Sequence, residues 1–426
     1  MTDMIDKPSL ASAPLTSRTP AVSGRDRARY LTASGVALWG AQIGQVAIPL
    51  TAVTALHSGA SATALLRTAL TLPFVLLGLP VGAWLDRVPR RPVMIAADLV
   101  RAAALATVPV AYWCHALTMA QLLAVVTVQG VATVFFDLAT QSLVKDLAPG
   151  ALLAPTNARL ATLAQTAMIA APPLAGWAAG LLNPPTVLLA MAVGYLWSAV
   201  WLSALVLREH PAASAPVPHR PLGREITEGL AFVARQPVLR AVLVSGSLVN
   251  IGTAGVTTLL PVLTLTELGW SEGELGLFFG AGGIGGLTGA LGAVRLARWL
   301  GAGRAAVLVG IAVAPLALTL PLLGHPVPAP LAALAWALVM LKIGFDSVLM
   351  MTFRQQATPA HLMARVNGTM RVFFTGTVAL GATTAGTLAA TTDTRTALTV
   401  AAAALACAWL PTALSPLRRM TTLAVQ

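Results

Sequence analysis

Twelve long apolar runs constrain this chain more than any other feature, at about 30–56, 62–85, 92–114, 118–143, 151–182, 184–207, 237–265, 273–299, 304–323, 329–352, 362–390 and 395–414. A helix crosses the hydrocarbon core of a bilayer with ~20 apolar residues, and nearly every run reaches that length. The connections are short, so nothing remains for a separate soluble domain. Only 10% of the 426 residues are charged and 57% are hydrophobic, against about 25% charged in soluble domains. Such a surface must face lipid. The expected fold is all-α, with twelve transmembrane helices. Pro49, Pro73, Pro80, Pro172, Pro261 and Pro315 interrupt the runs, and neighbouring helices in a bundle re-satisfy the backbone groups they free.

The 27 Lys and Arg punctuate the apolar runs instead of forming a patch or stripe, which excludes a nucleic-acid reader despite a net charge of +12. Their placement alternates. Arg25, Arg27 and Arg29 precede span one, Arg87, Arg90 and Arg91 follow span two, and Lys145 and Arg159 flank the turn from four to five. Arg208 to Arg240 surround the link from six to seven, and Arg295, Arg298, Arg304, Arg354, Arg365, Arg418 and Arg419 continue the pattern. Positive charges collect in cytoplasmic loops, so both termini are expected in the cytoplasm. The polar, Pro/Ser-rich start has no apolar core before a cleavage site and reads as a disordered tail over 1–28. Cys114 and Cys407 sit in apolar surroundings, so neither a disulfide framework nor a metal-binding pair is expected.

The chain reads as two six-helix halves, 29–207 and 237–416, followed by a tail at 417–426. They are joined by a linker at 208–236 that begins REHPAASAPVPHRPLG and is too polar and Pro-rich to fold alone. Within it Ile226, Leu230 and Val233 recur at helical spacing, which predicts a short amphipathic helix on the membrane surface. The halves also match each other. Pro149, Asn157 and Ala175-Gly176 recur as Pro359, Asn367 and Ala385-Gly386 with the same separations, and Asp137 has its counterpart in Asp346. Internal duplication of this kind places a transporter's substrate path at the interface of the repeats.

After span two stands Gly82-Ala-Trp-Leu-Asp86-Arg87-Val-Pro-Arg90-Arg91. The glycine permits close helix approach, and Asp86 can accept charge-assisted hydrogen bonds from the arginines. On this motif and the span pattern the chain resembles the major facilitator superfamily, whose signature loop reads Gly-x-x-x-Asp-Arg-x-Gly-Arg-Arg/Lys; Pro89 replaces the second glycine. Asp98-x-x-Arg101-Ala in span three is similar to the branch holding bacterial macrolide and tetracycline efflux pumps and the enterobactin exporter. The resemblance implies a cytoplasmic latch formed by Gly82, Asp86, Arg87, Arg90 and Arg91. The second half keeps only Gly289, Arg295, Arg298 and Arg304 of that motif. Ala171-Pro172-Pro173-Leu174-Ala175-Gly176 in span five is similar to the element associated with antiporters, with Pro172, Pro173 and Gly176 retained.

Charges inside spans cost about 2.5–3.5 kcal/mol on translocon scales and need a partner or a task. Asp137 and Asp346 stand eight residues before Lys145 and Arg354, hence about 12 Å inside the helix ends. Asp137 is expected to pair with Arg90 or Arg91 in a charge relay, or else to carry protons. Lys342 lies one turn before Asp346, so the two can neutralise one another. Asp98 and Arg101 join this set of relay or proton-coupling candidates. Trp39, Gln42, Gln45, Gln129 and Asn250 are candidate cavity groups. Arg67 either snorkels to the outer headgroups or faces the cavity, where it favours anions.

No nucleophile–base constellation or Gly-rich phosphate loop appears, so an enzyme is not expected, and neither a cofactor nor a metal site is implied. The expectation is a monomeric secondary transporter of the bacterial cytoplasmic membrane. It would export a lipophilic small molecule by alternating access in exchange for protons, with the bilayer, the substrate and protons as its partners. Export of a siderophore or secondary metabolite is the alternative; from other classes, a nutrient importer or a non-transporting sensor.

Overall fold

The computed structural model describes residues 24–85, 88–147, 152–205, 222–324, 326–359 and 362–419. Spans one to six become α1 (Gly24–Leu50), α2 (Ala60–Leu85), α3 (Arg90–Trp113), α4 (Met119–Leu147), α5 (Leu153–Leu182) and α6 (Pro184–Ser203). The linker helix is α7 (Leu222–Arg235). Spans seven to twelve are α8 (Pro237–Val262), α9 (Glu272–Leu300), α10 (Ala302–Val313), α11 (Ala329–Ala357), α12 (Met363–Thr391) and α13 (Thr394–Cys407). A 3-10 stretch at Ala314–Leu322 completes the span begun by α10, where Pro315 and Pro321 forbid regular α hydrogen bonding. Among the described residues eleven helical segments meet both length and apolarity for a crossing. The 30-residue α5 is the twelfth.

The first helix of each half ends alike. Pro49 in α1 is followed by a π-helical turn at Thr51–Ala55, and Pro261 in α8 by one at Leu263–Glu267. A proline offers no N–H, so the ladder widens to i→i+5 just beyond it, closed by Leu56 onto Thr51 at 3.3 Å and Leu268 onto Leu263 at 3.1 Å. This shared irregularity is structural evidence of the duplication.

Caps set the turns at one face of the bundle. Asn183, at φ 67°, accepts from the Thr186 amide and hydroxyl to start α6, with Pro184 at its first position. Ser271 and Glu274 form a reciprocal capping box at α9, and the Asp393 carboxylate caps α13 at 2.8 Å from the Thr396 amide. These turns define the far face; the start of α1, the α2–α3 connection and α7 define the terminal face. There, the C-terminus of α6 is held by two guanidinium groups. Arg29 donates to the Ala204 carbonyl at 2.7 Å, while Arg91 donates to those of Leu202, at 2.8 Å, and Ser203.

The linker is helical over Leu222–Arg235, with Leu230 exposed and Val233 buried. Val233 is buried in a cluster with Leu239, Phe353 and Val366, Glu228 pairs with Arg365 at 2.6 Å, and Gly229 lies against the backbone of α12 at Arg365. Residue 226 contributes to α7, but its side chain lies outside the described set. The α7 helix is therefore docked onto the second half.

Candidate substrate cleft

Within the first half α1 packs on α5 and α6, and α3 on α4 and α6; within the second, α9 packs on α11, and α8 on α12 and α13. Two seams join the halves, α2 against α12 and α5 against α9. Each duplicated Ala-Gly pair sits in one of them. Gly176 of α5 lies against Glu272 and Gly276 of α9, and Gly386 of α12 lies against Ala64 and Ser61 of α2. At the α5–α9 seam the antiporter-like element forms the contact surface. A methyl on Gly276 would stand 2.8 Å from the Pro172 carbonyl, and one on Gly280 would stand 3.0 Å from the Pro173 ring. In lipid no hydrophobic force draws helices together, so close backbone approach at small residues supplies the dispersion contact.

The seams are tight at the far face and part toward the terminal face. From Gly386 the α2–α12 seam runs through a 2.8 Å Thr68–Thr383 hydrogen bond to Gly376 beside Val75 and Arg371 over the Phe74 ring. Nearer the terminal face, Gly82, Gly292 and Gly368 have open space where a side chain would begin. Between Gly82 of α2 and Gly368 of α12 the seam thus opens as a cleft toward the terminal face.

Asp137 of α4 lies in this cleft, and its partner differs from the expected one. It pairs with Arg371 of α12 at 3.6 Å, across the two halves, whereas Arg91 is committed to the end of α6. The reason is depth: Asp137 is nearly three turns inside α4, level with Arg371 and not with the start of α3 that carries Arg90 and Arg91. Arg101 is the second positive charge acting on Asp137. It forms a buried ion pair with Asp98, with its guanidinium 4.3 Å from the Phe136 ring centre and 4.2 Å from that of Tyr195. Four charges thus run from the interior of the first half to the inner wall of the second. Arg371 was not singled out in the sequence; its signal is an arginine set deeper than Arg365 in an apolar span with no acid on its own helix.

The remaining candidates divide. Lys342 and Asp346 pair at 2.5 Å, both buried. Asp346 also borders a cavity of about 320 Å³ shared with Asn250, Arg354 and Phe374, where Asn250 donates to the Phe374 carbonyl at 3.3 Å. Gln129 is 3% exposed and donates to the Arg101 carbonyl at 3.0 Å, so it ties α4 to α3. Trp39 and Gln42 are partly buried on α1, and Gln45 is exposed. Arg67 is hydrogen-bonded to Gln45 and borders a small cavity with Thr257 and Thr258 of α8. Of the loop motif, Asp86 and Arg87 lie outside the described residues. Among the described residues no cluster of His, Cys, Asp and Glu is suited to a metal.

A profile of the Major Facilitator Superfamily matches residues 30–382. The chain belongs to this superfamily of membrane transporters, which carry solutes without enzymatic chemistry. It is 27% identical to "Multidrug efflux pump Tap" of Mycolicibacterium fortuitum over 350 residues, covering 78% of this chain and 82% of that one. Its fold is similar to a bacterial homologue of the iron transporter ferroportin in the inward-facing state, with TM-score 0.73, 18% identity and coverage of 91% of this chain and 98% of that one. Against the outward-facing state of that homologue, at the same identity and coverage, the TM-score is 0.60. The nucleoside transporter NupG gives 0.70 at 13% identity, covering 92% of this chain and 100% of that one.

Proposed function

We propose that the protein exports lipophilic small molecules across the bacterial cytoplasmic membrane in exchange for protons, by alternating access, as a monomer with both termini in the cytoplasm. The observation that carries this reading is the Asp137–Arg371 pair, which bridges the halves inside a cleft open to the terminal face. On this reading the structure is the inward-open state, loaded from the cytoplasm. Rocking the halves closes the terminal side and separates the α5–α9 and α2–α12 seams at the far face. Protonation of Asp137 removes its charge, weakens its attraction to Arg371 and lets the halves re-register, so proton entry and substrate exit use the same bridge. The loop residues Gly82, Asp86, Arg87, Arg90 and Arg91 act as the latch of the outward-open state. Asp98 and Arg101 hold the relay in place, and Lys342 with Asp346 is its counterpart in the second half.

Export is supported by the multidrug pump among its relatives and by the helix-five element at the seam. The test is accumulation of fluorescent lipophilic compounds and macrolides in pump-deficient cells expressing the protein, with and without a protonophore. Lower accumulation that the protonophore restores is the expected result. Higher accumulation would assign import. If no compound moves, the alternative is a dedicated exporter of an endogenous siderophore or secondary metabolite, favoured by the cationic residue at the cleft apex.

A further inference from the structure

Beyond the cleft, at the apex where the halves close, Arg67 of α2 borders Thr257 and Thr258 of α8 in the opposite half. It stands seven residues into its helix, about 10 Å from the far end, where a guanidinium is costly unless compensated. Its neighbours are Gln45 and Gly44 of α1, Thr63 of α2, Val126 of α4, and Thr257 and Thr258 of α8, around a cavity of about 20 Å³. None of the ion pairs among the described residues involves Arg67. Its Nη1 donates to the Gln45 side-chain oxygen, while its Nε is buried with no acceptor. Across the cavity the Thr258 hydroxyl is also buried and unpaired, with the residue 2% exposed. The apex thus presents one fixed positive charge and unsatisfied donors, with a neutral amide oxygen where an anion would bind best.

Arg371, by contrast, already has a partner. Arg371 is paired with Asp137 and lies 4.4 Å from the centre of the Phe74 ring, and Phe74 is two helical turns from Arg67 on the same helix. Arg67 has no counter-ion among the described residues.

We propose that the cleft apex binds the carboxylate of a lipophilic anionic substrate, held by Arg67 of one half and the hydroxyl of Thr258 of the other, with its apolar body lying along α2 toward Phe74. This rests on the reading that the cleft is a substrate path. Guanidinium–carboxylate bonds are charge-assisted and bidentate, so a carboxylate displaces the Gln45 amide, which the small free volume requires. Because the site is built from α1, α2 and α8, its occupancy also bears on how the halves sit at the far face.

The test uses pyrenebutyrate, its neutral amide and a pyrene-bearing quaternary ammonium, which share one aromatic body. Binding to the purified full-length protein is read by energy transfer from tryptophan to pyrene, and transport in proteoliposomes under a pH gradient. The anion should bind about tenfold or more tighter than the amide. Arg67→Gln should abolish that preference and tighten the cation, whereas Gln45→Ala, which frees Arg67, should strengthen the anion further. Equal binding of anion and amide to the wild type, or a preference that survives in a monodisperse Arg67→Gln protein, overturns the proposal. If Arg67→Gln does not fold, an unchanged or weakened anion affinity in Gln45→Ala overturns it instead. Proton-dependent export of the amide or the cation without anion preference would sink this site and leave the export reading intact. Arg67-dependent anion binding with no outward movement of any probe would do the reverse.

Discussion

Two ion pairs that start from the first half, one within it and one reaching across to the second, have opposite constructions. Asp98 and Arg101 stand one turn apart on α3, 0% and 3% exposed, with Arg101 between Phe136 and Tyr195. Asp137 and Arg371 stand on α4 and α12, in different halves, with side chains 45% and 36% exposed. A pair within one helix is untouched when the halves rock, since its members move together. A pair between halves must stretch or break. The second half repeats the first construction, with Lys342 and Asp346 four residues apart on α11. Among the described ion pairs, then, Asp137–Arg371 is the one placed where motion between the halves changes its energy.

The comparison is sharpest in stability. Asp98→Ala leaves Arg101 buried without its counter-ion and should cost about 3–5 kcal/mol, read as a large fall in the unfolding midpoint of the purified protein. Replacing both by apolar residues, Asp98→Leu with Arg101→Met, should recover most of that loss. A single variant as stable as the parent would mean that the pair is not isolated from water.

A bulky residue at a seam should separate motion from folding. Gly276→Leu sets a side chain into the Pro172–Gly176 backbone, an overpacking penalty of about 1–3 kcal/mol that falls on the closed far face alone. Transport should stop, and spin labels at the far ends of α5 and α9 should report a longer distance. An unchanged distance would show that the seam already has slack.

Asp137→Asn should do little to stability, under about 1 kcal/mol for a pair this exposed, yet abolish pH-gradient-driven transport. Equal losses of stability and turnover would erase the contrast with Asp98.

The smallest effect is at the far face, where hydrogen bonds from the Thr396 hydroxyl and amide hold the Asp393 carboxyl below the ordinary carboxylate range. With the folded value depressed, the cap's contribution is present above the unfolded value of ~3.9 and is lost as pH falls through the folded one. Amide exchange at the start of α13 should quicken only in that acidic window. Quickening already at neutral pH would place the control elsewhere.

Much of the architecture was legible because it is written locally. Hydropathy marks the crossings, and the linker's spacing marks α7. The Pro–Asn–Ala-Gly repeat marks the duplication, and its Ala-Gly pairs prove to be the small-residue contacts of both seams. The pairing of Lys342 with Asp346 was legible for the same reason, since one helical turn fixes their separation. Arg371 was not, because nothing on α12 shows that α4 brings an acid to it. The bond of Gln129 to the Arg101 carbonyl was not legible either, because a polar residue in a span has the same sequence signature whether it faces a cavity or a neighbouring helix's carbonyl.

By itself the sequence determined a twelve-helix, duplicated membrane transporter, since a bilayer forces each crossing to satisfy its own backbone and display apolar side chains along its own length. Which charges meet was decided only by tertiary structure. The glycine seams set which helices of the two halves touch, and that contact alone brings Arg371 to Asp137 and turns Arg67 toward Thr258 at the cleft apex.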